Sequence, residues 1–358
     1  MSHSSILNFR YLSMFTLKAI LATVLISVVI NGMLYFFQDE RKVTNKLQLF
    51  HEGKDEFTAL AVGTSHSIGF HFPSLGQKGI NFYDGGGDIE EVVFKSGIIM
   101  DQAVNIGSIF VSVSPGTLHM SQNYGNNINR QLVVIKNLPL SYDVLLSTPS
   151  IVLPSLLEFL FPILEVKNEI KEKIDLSLAS SKNLNGFSTD INRACLKPIL
   201  TEVDKDALIL GGYKLVTLLP NCLDSYAANT VTSHSSHIES TILSDVNMPS
   251  INVSRLSGMA DEFKLRKVET RLILVVPPLT VEYYEDERIQ KWISEHNKLL
   301  AELSKHPNID VYDFHDFFHD EMADGSNDFF YDDDHLALPG AIKFSKALKQ
   351  AMDEREGR

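Results

Sequence analysis

The sequence predicts an α/β protein in which a parallel β-sheet carries helices on both faces. Short apolar runs read as buried strands, and segments with helical periodicity separate them; the runs are 57–63, 108–115, 271–278 and 309–314. Apolar runs without polar alternation are typical of strands that are buried on both faces. Such strands alternating with helices favour a three-layer αβα sandwich.

Each element carries its own local signal. The first strand, FTALAVG, ends at a glycine followed by small polar residues, and a glycine-rich loop, GINFYDGGGD, comes after it. Apolar residues at helical spacing predict a helix in IEEVVFKSGIIMDQAV and another in the Glu-, Lys- and Leu-rich segment between the last two strands. Pro339 stands in the first turn of the final predicted helix, where proline is favoured.

An uncharged segment near the amino terminus predicts a membrane anchor. Residues 19–37, AILATVLISVVINGMLYFF, are long enough to span a bilayer and end in bulky residues rather than at a small-residue cleavage site. We expect 1–18 to be a cytoplasmic tail, 38–56 a juxtamembrane linker and 57–358 the globular domain. Because basic residues flank both ends of the anchor, charge does not decide its orientation. We expect a single-pass protein of the cell membrane whose body lies on the periplasmic or extracellular face.

The composition of the chain limits the kinds of partner and cross-link that we expect. The formal charge is −13, from 45 acidic and 32 basic residues, so polyphosphate is repelled and nucleic acid is not an expected partner. The chain is long enough to bury a core without a disulfide or a metal. Cys195 and Cys222 fit either a disulfide in an oxidising compartment or two free thiols. Residues from about 120 to 265 break the strand–helix rhythm and are expected to form an insertion of helices and loops.

Two distant stretches carry the residues of a catalytic triad. Ser65, in GTSHS, follows the first strand, and Asp332 and His335 precede the last helix in FYDDDHL. A serine nucleophile needs a histidine base and a carboxylate that orients the histidine. Because the carboxyl ends of parallel strands face one crevice, we expect the two stretches to meet there. Asp333 and Asp334 remain alternatives for the acid.

These stretches resemble the two motif blocks of the SGNH, or GDSL-like, hydrolases, which place a serine after the first strand and Asp-x-x-His near the end. The likeness is closest to a membrane-anchored branch that includes the D-alanyl transfer protein of teichoic acid operons and exopolysaccharide O-acetylation proteins. ILVVPPLTVEYY and FYDDDHLALPGA also fit that branch, and the resemblance covers about 57–118 and 268–350. It implies an SGNH/flavodoxin-like sandwich with Ser65 as nucleophile, His335 as base and Asp332 as acid.

The resemblance also implies a function and its partners. The expected activity is that of a serine esterase or acyltransferase that acts on an acylated cell-envelope polysaccharide or a related polymer. The expected partners are the lipid bilayer, through the amino-terminal helix, the acylated polysaccharide or acyl donor, and a membrane-bound acyltransferase. A non-catalytic scaffold or binding component of a polysaccharide modification or export assembly is the alternative.

The oxyanion hole departs from the family pattern. The family usually supplies its donors from a glycine after the second strand and an asparagine after the third, because donors must meet the developing negative charge. Here the corresponding strand ends VSVSPG, without an asparagine. Gly79, or the run Gly85–Gly87, and Asn81 are the candidates in the earlier loop. Taken alone, Ser65 would equally fit a helix-capping role.

Other histidines and acidic residues suggest metal binding only superficially. The aspartates beside His335 could bind a divalent cation, and His315 and His319 lie one helical turn apart, but no second ligand cluster at a telling spacing supports either site. We assign no metal and no cofactor. His234 and His237, in TSHSSH, are expected to be solvated surface residues.

Overall fold

The computed structural model describes residues 41–83, 87–121, 196–199, 210–218, 230–236, 238–239, 247–266, 269–323, 328–332 and 334–357. The chain divides into two compact units, Met1–Arg41 with Leu140–Ser188 and Lys42–Pro139 with Thr189–Arg358. Arg41 is the only described residue of the first unit. The expected tail and anchor, Cys195 and Cys222 lie outside the described residues. Within the described ranges, no helix has the length and apolar character needed to cross a bilayer.

Five parallel strands form the central sheet. They are β1 Ala59–Gly63, β2 Gly79–Asn81, β3 Ser108–Ser112, β6 Arg271–Val276 and β7 Ile309–Asp313, in the order β2-β1-β3-β6-β7. Strand β1 pairs on both sides, with Leu60 opposite Ile80 of β2 and Ile109 of β3. Strands β4 Leu196–Pro198 and β5 Val216–Leu218 form a separate antiparallel pair. The predicted parallel sheet is confirmed.

Strand β2 lies in the segment that the sequence predicts as a glycine-rich loop. It has only three residues, which is too few for a periodicity to register. Gly79 opens this strand beneath Phe72, and a Cβ at Gly79 would lie 2.1 Å from the phenylalanine ring. The glycine therefore marks a close approach between strand and ring rather than a loop.

Helices cover both faces of the sheet. Their bounds are α1 Arg41–Gly53, α2 Phe72–Leu75, α3 Ile89–Met100, α4 Met248–Lys264, α5 Val281–Tyr284, α6 Glu287–Leu303, α7 His319–Ala323 and α8 Leu338–Glu356, with 3₁₀ turns at Ser65–Gly69 and Thr117–His119. Helices α3, α4 and α6 lie on one face, whereas α8 and α2 lie together on the other. The arrangement fits a three-layer αβα sandwich.

The hydrophobic core beneath α8 supports the part of the sheet that carries the candidate site. Ala61, Phe110 and Ile273 are neighbours across β1, β3 and β6 and are all buried. They pack in one cluster with Phe344 of α8 and with Phe70, which follows the first 3₁₀ turn. Burial of each large apolar side chain contributes about 1.5–3 kcal/mol, so this cluster ties the turn firmly to α8.

Helix α1 occupies a segment that the sequence predicts as a linker, and helix α4 lies in the predicted insertion of helices and loops. Residues 41–53, part of the expected linker, form α1, in which Phe50 is fully buried against the rings of Phe57 and Phe82. Helix α4 falls within the range expected as an insertion, and it packs against α3, α6 and β6. Both segments are largely polar in composition, so the few apolar residues that carry their packing give a faint signal.

Candidate active site

Ser65 begins the 3₁₀ turn directly after β1, and Gly63 makes this sharp exit possible. Gly63 has a φ of +137°, and a Cβ there would lie 2.8 Å from the hydroxyl oxygen of Ser67. Only glycine adopts such a backbone without strain. The Ser67 hydroxyl donates to the carbonyl of Val62 at 3.0 Å and bonds to the Ser112 hydroxyl at 2.8 Å. These contacts hold Ser65 at the carboxyl edge of the sheet.

Asp332 and His335 lie in the segment between α7 and α8, which folds back on itself. Oδ1 of Asp332 accepts hydrogen bonds from the backbone N–H groups of Asp334 at 3.2 Å and His335 at 2.8 Å. Phe330 and Leu336, which are both buried, flank these two residues and form an antiparallel bridge with each other. Asp332 therefore organises the turn that presents His335.

The three side chains predicted as a triad lie in contact. Nε2 of His335 lies 2.5 Å from Oγ of Ser65, and its Nδ1 lies 2.8 and 2.9 Å from the two carboxylate oxygens of Asp332. This is the nucleophile–base–acid order that serine catalysis requires. Burial by itself would lower the pKa of the His335 imidazole, but the carboxylates of Asp332 and Asp334 outweigh it and raise this pKa well above its ordinary value.

A second carboxylate and a second histidine extend the cluster. Oδ1 of Asp334 lies 2.7 Å from Nδ1 of His335 without the alignment of a hydrogen bond, and its Oδ2 lies 3.0 Å from Nε2 of His66. Burial would raise the pKa of Asp334, yet the nearby charges of His335 and His66 hold it well below its ordinary value. The rings of His66 and His335 stack with centroids 4.8 Å apart and planes 11° apart.

Sequence reasoning missed His66 and misplaced His234. The signal for His66 is its position directly after Ser65, in the same constrained turn. His234 lies in the helical segment 230–236, and its Nδ1 lies 2.7 Å from the Tyr283 hydroxyl and 3.8 Å from Oδ2 of Asp334. Its side chain is 27% exposed, so the expected solvated surface position is wrong for this residue. His237 and Asp333 lie outside the described residues.

The two oxyanion candidates have other contacts in the structure. The Asn81 amide donates to the carbonyls of Ser67 at 2.7 Å and Gly211 at 3.2 Å, so both its hydrogens are engaged. Its oxygen accepts the N–H of Tyr83. Gly79 lies under Phe72, as described above. Among the described residues, neither candidate hydrogen-bonds to the Ser65 hydroxyl; Asn81 instead supports the turn that carries it. Gly85 and Gly86 lie outside the described residues.

The donor atoms near His335 also bear on metal binding. His66, Asp334 and His335 offer ligand atoms within 4.8 Å of one another. Two ligands of one tetrahedral zinc, each at about 2.1 Å, lie roughly 3.4 Å apart. Both separations are shorter: 2.7 Å is that of an ion pair between His335 and Asp334, and 3.0 Å is that of a charge-assisted hydrogen bond between His66 and Asp334. His315 instead stacks on Tyr284 at 4.1 Å.

Comparisons with known proteins give only distant structural matches. No protein-family model and no curated protein sequence matches this chain. A Streptococcus pneumonia protein provisionally described as a platelet activating factor is 13% identical, with a TM-score of 0.35 over 91% of this chain and 98% of the other. The lipase Lip_vut3 from a goat rumen metagenome is 15% identical, with a TM-score of 0.35 over 82% and 96%. Matches at this level of identity and TM-score show nothing about the activity of this chain.

Proposed function

We propose that this protein is a serine-dependent acyl esterase or acyltransferase. The observation that carries the proposal is the hydrogen-bonded series from Ser65 through His335 to Asp332, with separations of 2.5 and 2.8 Å. A serine hydroxyl becomes an effective nucleophile when a positioned base takes its proton as it attacks. The raised pKa of His335 makes its imidazole a strong proton acceptor for that step.

The reaction proceeds in two halves. Nε2 of His335 takes the Ser65 proton while Oγ attacks the carbonyl carbon of an ester, which gives a tetrahedral intermediate. The intermediate expels the alcohol, which receives the proton from His335, and the acyl group stays on Ser65. A water molecule or a sugar hydroxyl then gives its proton to His335 and attacks the acyl-serine; His335 returns that proton to the departing oxygen of Ser65, and a free acid or an acylated sugar is released. Asp332 accepts the Nδ1 hydrogen throughout and stabilises the imidazolium.

The proposed substrate is an acylated cell-envelope polysaccharide or a related polymer. The uncharged run 19–37 supports a membrane anchor, which would hold the site beside membrane-bound acyl donors and a membrane-bound acyltransferase partner on the exported face. The negative net charge supports a neutral or cationic acceptor over a polyphosphate. The blocks around Ser65 and His335 support the same class through their resemblance to envelope acylation proteins.

A covalent probe tests the nucleophile directly. The full-length chain, purified in detergent, is treated with a fluorophosphonate, and the adduct is located by mass spectrometry. We expect one adduct on Ser65 that Ser65→Ala abolishes. Ser74 is the matched control because its hydroxyl also bonds to a histidine ring, Nδ1 of His71 at 2.8 Å, and no carboxylate among the described residues pairs with that ring. Absence of labelling on a folded protein would contradict the proposal.

A non-catalytic scaffold is the second candidate. The engaged amide of Asn81 and the absence of an asparagine after β3 favour it, because a weak oxyanion site slows acyl transfer. The two candidates separate in a strain whose envelope acylation depends on this protein. If a variant carrying Ser65→Ala, Asp332→Asn and His335→Ala together accumulates normally but abolishes acylation, the enzyme is supported. If acylation persists, the protein acts as a scaffold.

A further inference from the structure

His335 faces two carboxylates at Nδ1, whereas a serine triad requires one. Asp332 accepts the hydrogen bond from this nitrogen, and Oδ1 of Asp334 lies 2.7 Å away without accepting one. The Asp334 side chain is 1% exposed. A carboxylate so far from water is costly to retain unless it is paired. A single-carboxylate triad leaves this second buried charge unexplained.

His66 supplies the partner that Asp334 needs. Its Nε2 bonds to Oδ2 of Asp334 at 3.0 Å, and its Nδ1 bonds to the hydroxyls of Thr64 at 3.0 Å and Ser114 at 3.2 Å. The Ser114 hydroxyl bonds in turn to that of Thr117 at 3.0 Å. Both ring nitrogens are therefore engaged in a buried network, which fixes the ring plane of His66 relative to β1 and β3.

We propose that His66 and Asp334 form a second positioning arm, which holds the imidazole of His335 in the orientation that receives the Ser65 proton. The inference rests on the proposed function because it concerns the same histidine. The stacked His66 ring restricts tilting of His335, and the carboxylate of Asp334, held by His66, restricts rotation about its Nδ1 side. Both residues act through His335 and are positioning residues, because neither touches the Ser65 hydroxyl.

The arm also changes the charge balance during proton transfer. The groups that face Asp334 are His66, His335 and His234, while Asp332 faces His335 from its own side. When His335 takes the Ser65 proton, its positive charge meets two carboxylates in a site with little water. The Asp334 carboxylate therefore stabilises the protonated base and raises the pH at which the free protein presents a neutral His335, and the hydrogen bond from His66 to Asp334 weakens this effect.

The test is the pH profile of fluorophosphonate labelling at Ser65 in the full-length protein. Asp334→Asn keeps the side-chain shape and removes the charge, so we expect the plateau rate to fall by at least about tenfold and the midpoint to move to lower pH. His66→Phe keeps a ring over His335 but removes the donor to Asp334, so the midpoint should move to higher pH. His66→Gln keeps an amide donor and should restore the midpoint toward that of the wild type.

The controls separate this inference from the proposed function. Asp310→Asn removes another buried carboxylate, which lies on β7 and pairs with Arg271 of β6 and Arg355 of α8, and should leave the midpoint unchanged. If the wild type is not labelled at any pH, the proposed function itself fails. If the wild type is labelled and folded Asp334→Asn and His66→Phe keep its midpoint, the positioning arm alone is overturned. If the two variants lower the plateau of the labelling rate without shifting the pH midpoint, His66 and Asp334 have a merely structural role, and the proposed positioning arm is also overturned.

Discussion

Nε2 of His335 and Oγ of Ser65 lie 2.5 Å apart although 270 positions separate the two residues in the sequence. Helix α8 creates this proximity because it contacts the turn that carries the serine. The Ser345 hydroxyl on α8 donates to the carbonyl of Gly69 at 3.2 Å and accepts the N–H of His71 at 2.8 Å. The segment that carries His335 leads directly into α8, so docking of this helix aligns base and nucleophile.

Labelling of Ser65 should become faster as the pH rises through a midpoint above the ordinary histidine value. The carboxylates of Asp332 and Asp334 raise the pKa of His335 well above 6.5, so the imidazole is protonated and unable to act as a base in mildly acidic solution. The measurement is the rate constant of labelling by a fluorophosphonate from acid to alkaline pH. A midpoint below 6.5 would show that the two carboxylates do not act on His335 as the geometry requires.

Two substitutions of Asp332 should separate its roles in catalysis and in folding. Asp332→Asn keeps an oxygen for the N–H groups of Asp334 and His335 but offers an amide donor to Nδ1, which favours the wrong tautomer. We expect the labelling rate to fall by about 10³–10⁴-fold, with a smaller loss of thermal stability than Asp332→Ala causes. Asp332→Ala should also cost about 1–3 kcal/mol of unfolding free energy, because those N–H groups lose their acceptor. Equal stability of both variants would argue against the turn-organising role.

The sequence could predict the placement of the candidate triad because each part has a local signal and the fold joins the parts. Ser65 follows a fully apolar strand, and Asp332 and His335 precede a helix with proline in its first turn, so topology alone places both stretches at one edge of a parallel sheet. His66 could not be identified in this way, because a serine triad calls for one histidine and one carboxylate, and no sequence signal marks a second pair of His66 with Asp334. The spacing of residues in a loop does not reveal which of several neighbouring aspartates faces a histidine.

The elements of the fold likewise differ in whether a local sequence signal marks them. Buried parallel strands such as β3 and β6 stand out because every position in them favours apolar residues. Helix α1 depends on Phe50 for its contact with Phe57 and Phe82, so its sequence resembles a solvated connector. Elements that a single buried aromatic residue attaches to the core therefore escape pattern analysis.

Gly63→Ala should impair the site more than the fold. An added Cβ would lie 2.8 Å from Oγ of Ser67 at a φ of +137°, so the turn that begins at Ser65 must shift. We expect the free energy of unfolding to fall by about 1–3 kcal/mol. The loss of Ser65 labelling should be larger than the resulting fraction of unfolded protein accounts for. Gly97→Ala is the matched control: it lies in α3 with nothing within 4 Å of its added Cβ, and should stabilise the helix by about 0.5–1 kcal/mol. Full labelling of a folded Gly63→Ala protein would contradict the expected shift.

Asp334 and His335 together predict a stability maximum in mildly acidic solution. Because the pKa of Asp334 is lowered in the folded state, its contribution is complete above its unfolded value near 3.9 and is lost as the pH falls through the folded value. Because the pKa of His335 is raised, its contribution is complete below about 6.5 and is lost as the pH rises through the folded value. Both contributions are present between about pH 4 and about pH 6.5.

The measurement is the thermal unfolding midpoint of the full-length protein in detergent, followed by the fluorescence of Trp292, the only tryptophan. The difference in midpoint between the wild type and Asp334→Asn should be largest inside this window and should shrink on both sides. A difference that keeps growing into alkaline solution would contradict the prediction. Labelling of Ser65 requires a neutral His335 and so accelerates where this stabilisation fades. The ion pairs that strengthen the fold in acid therefore withhold the base that the reaction needs.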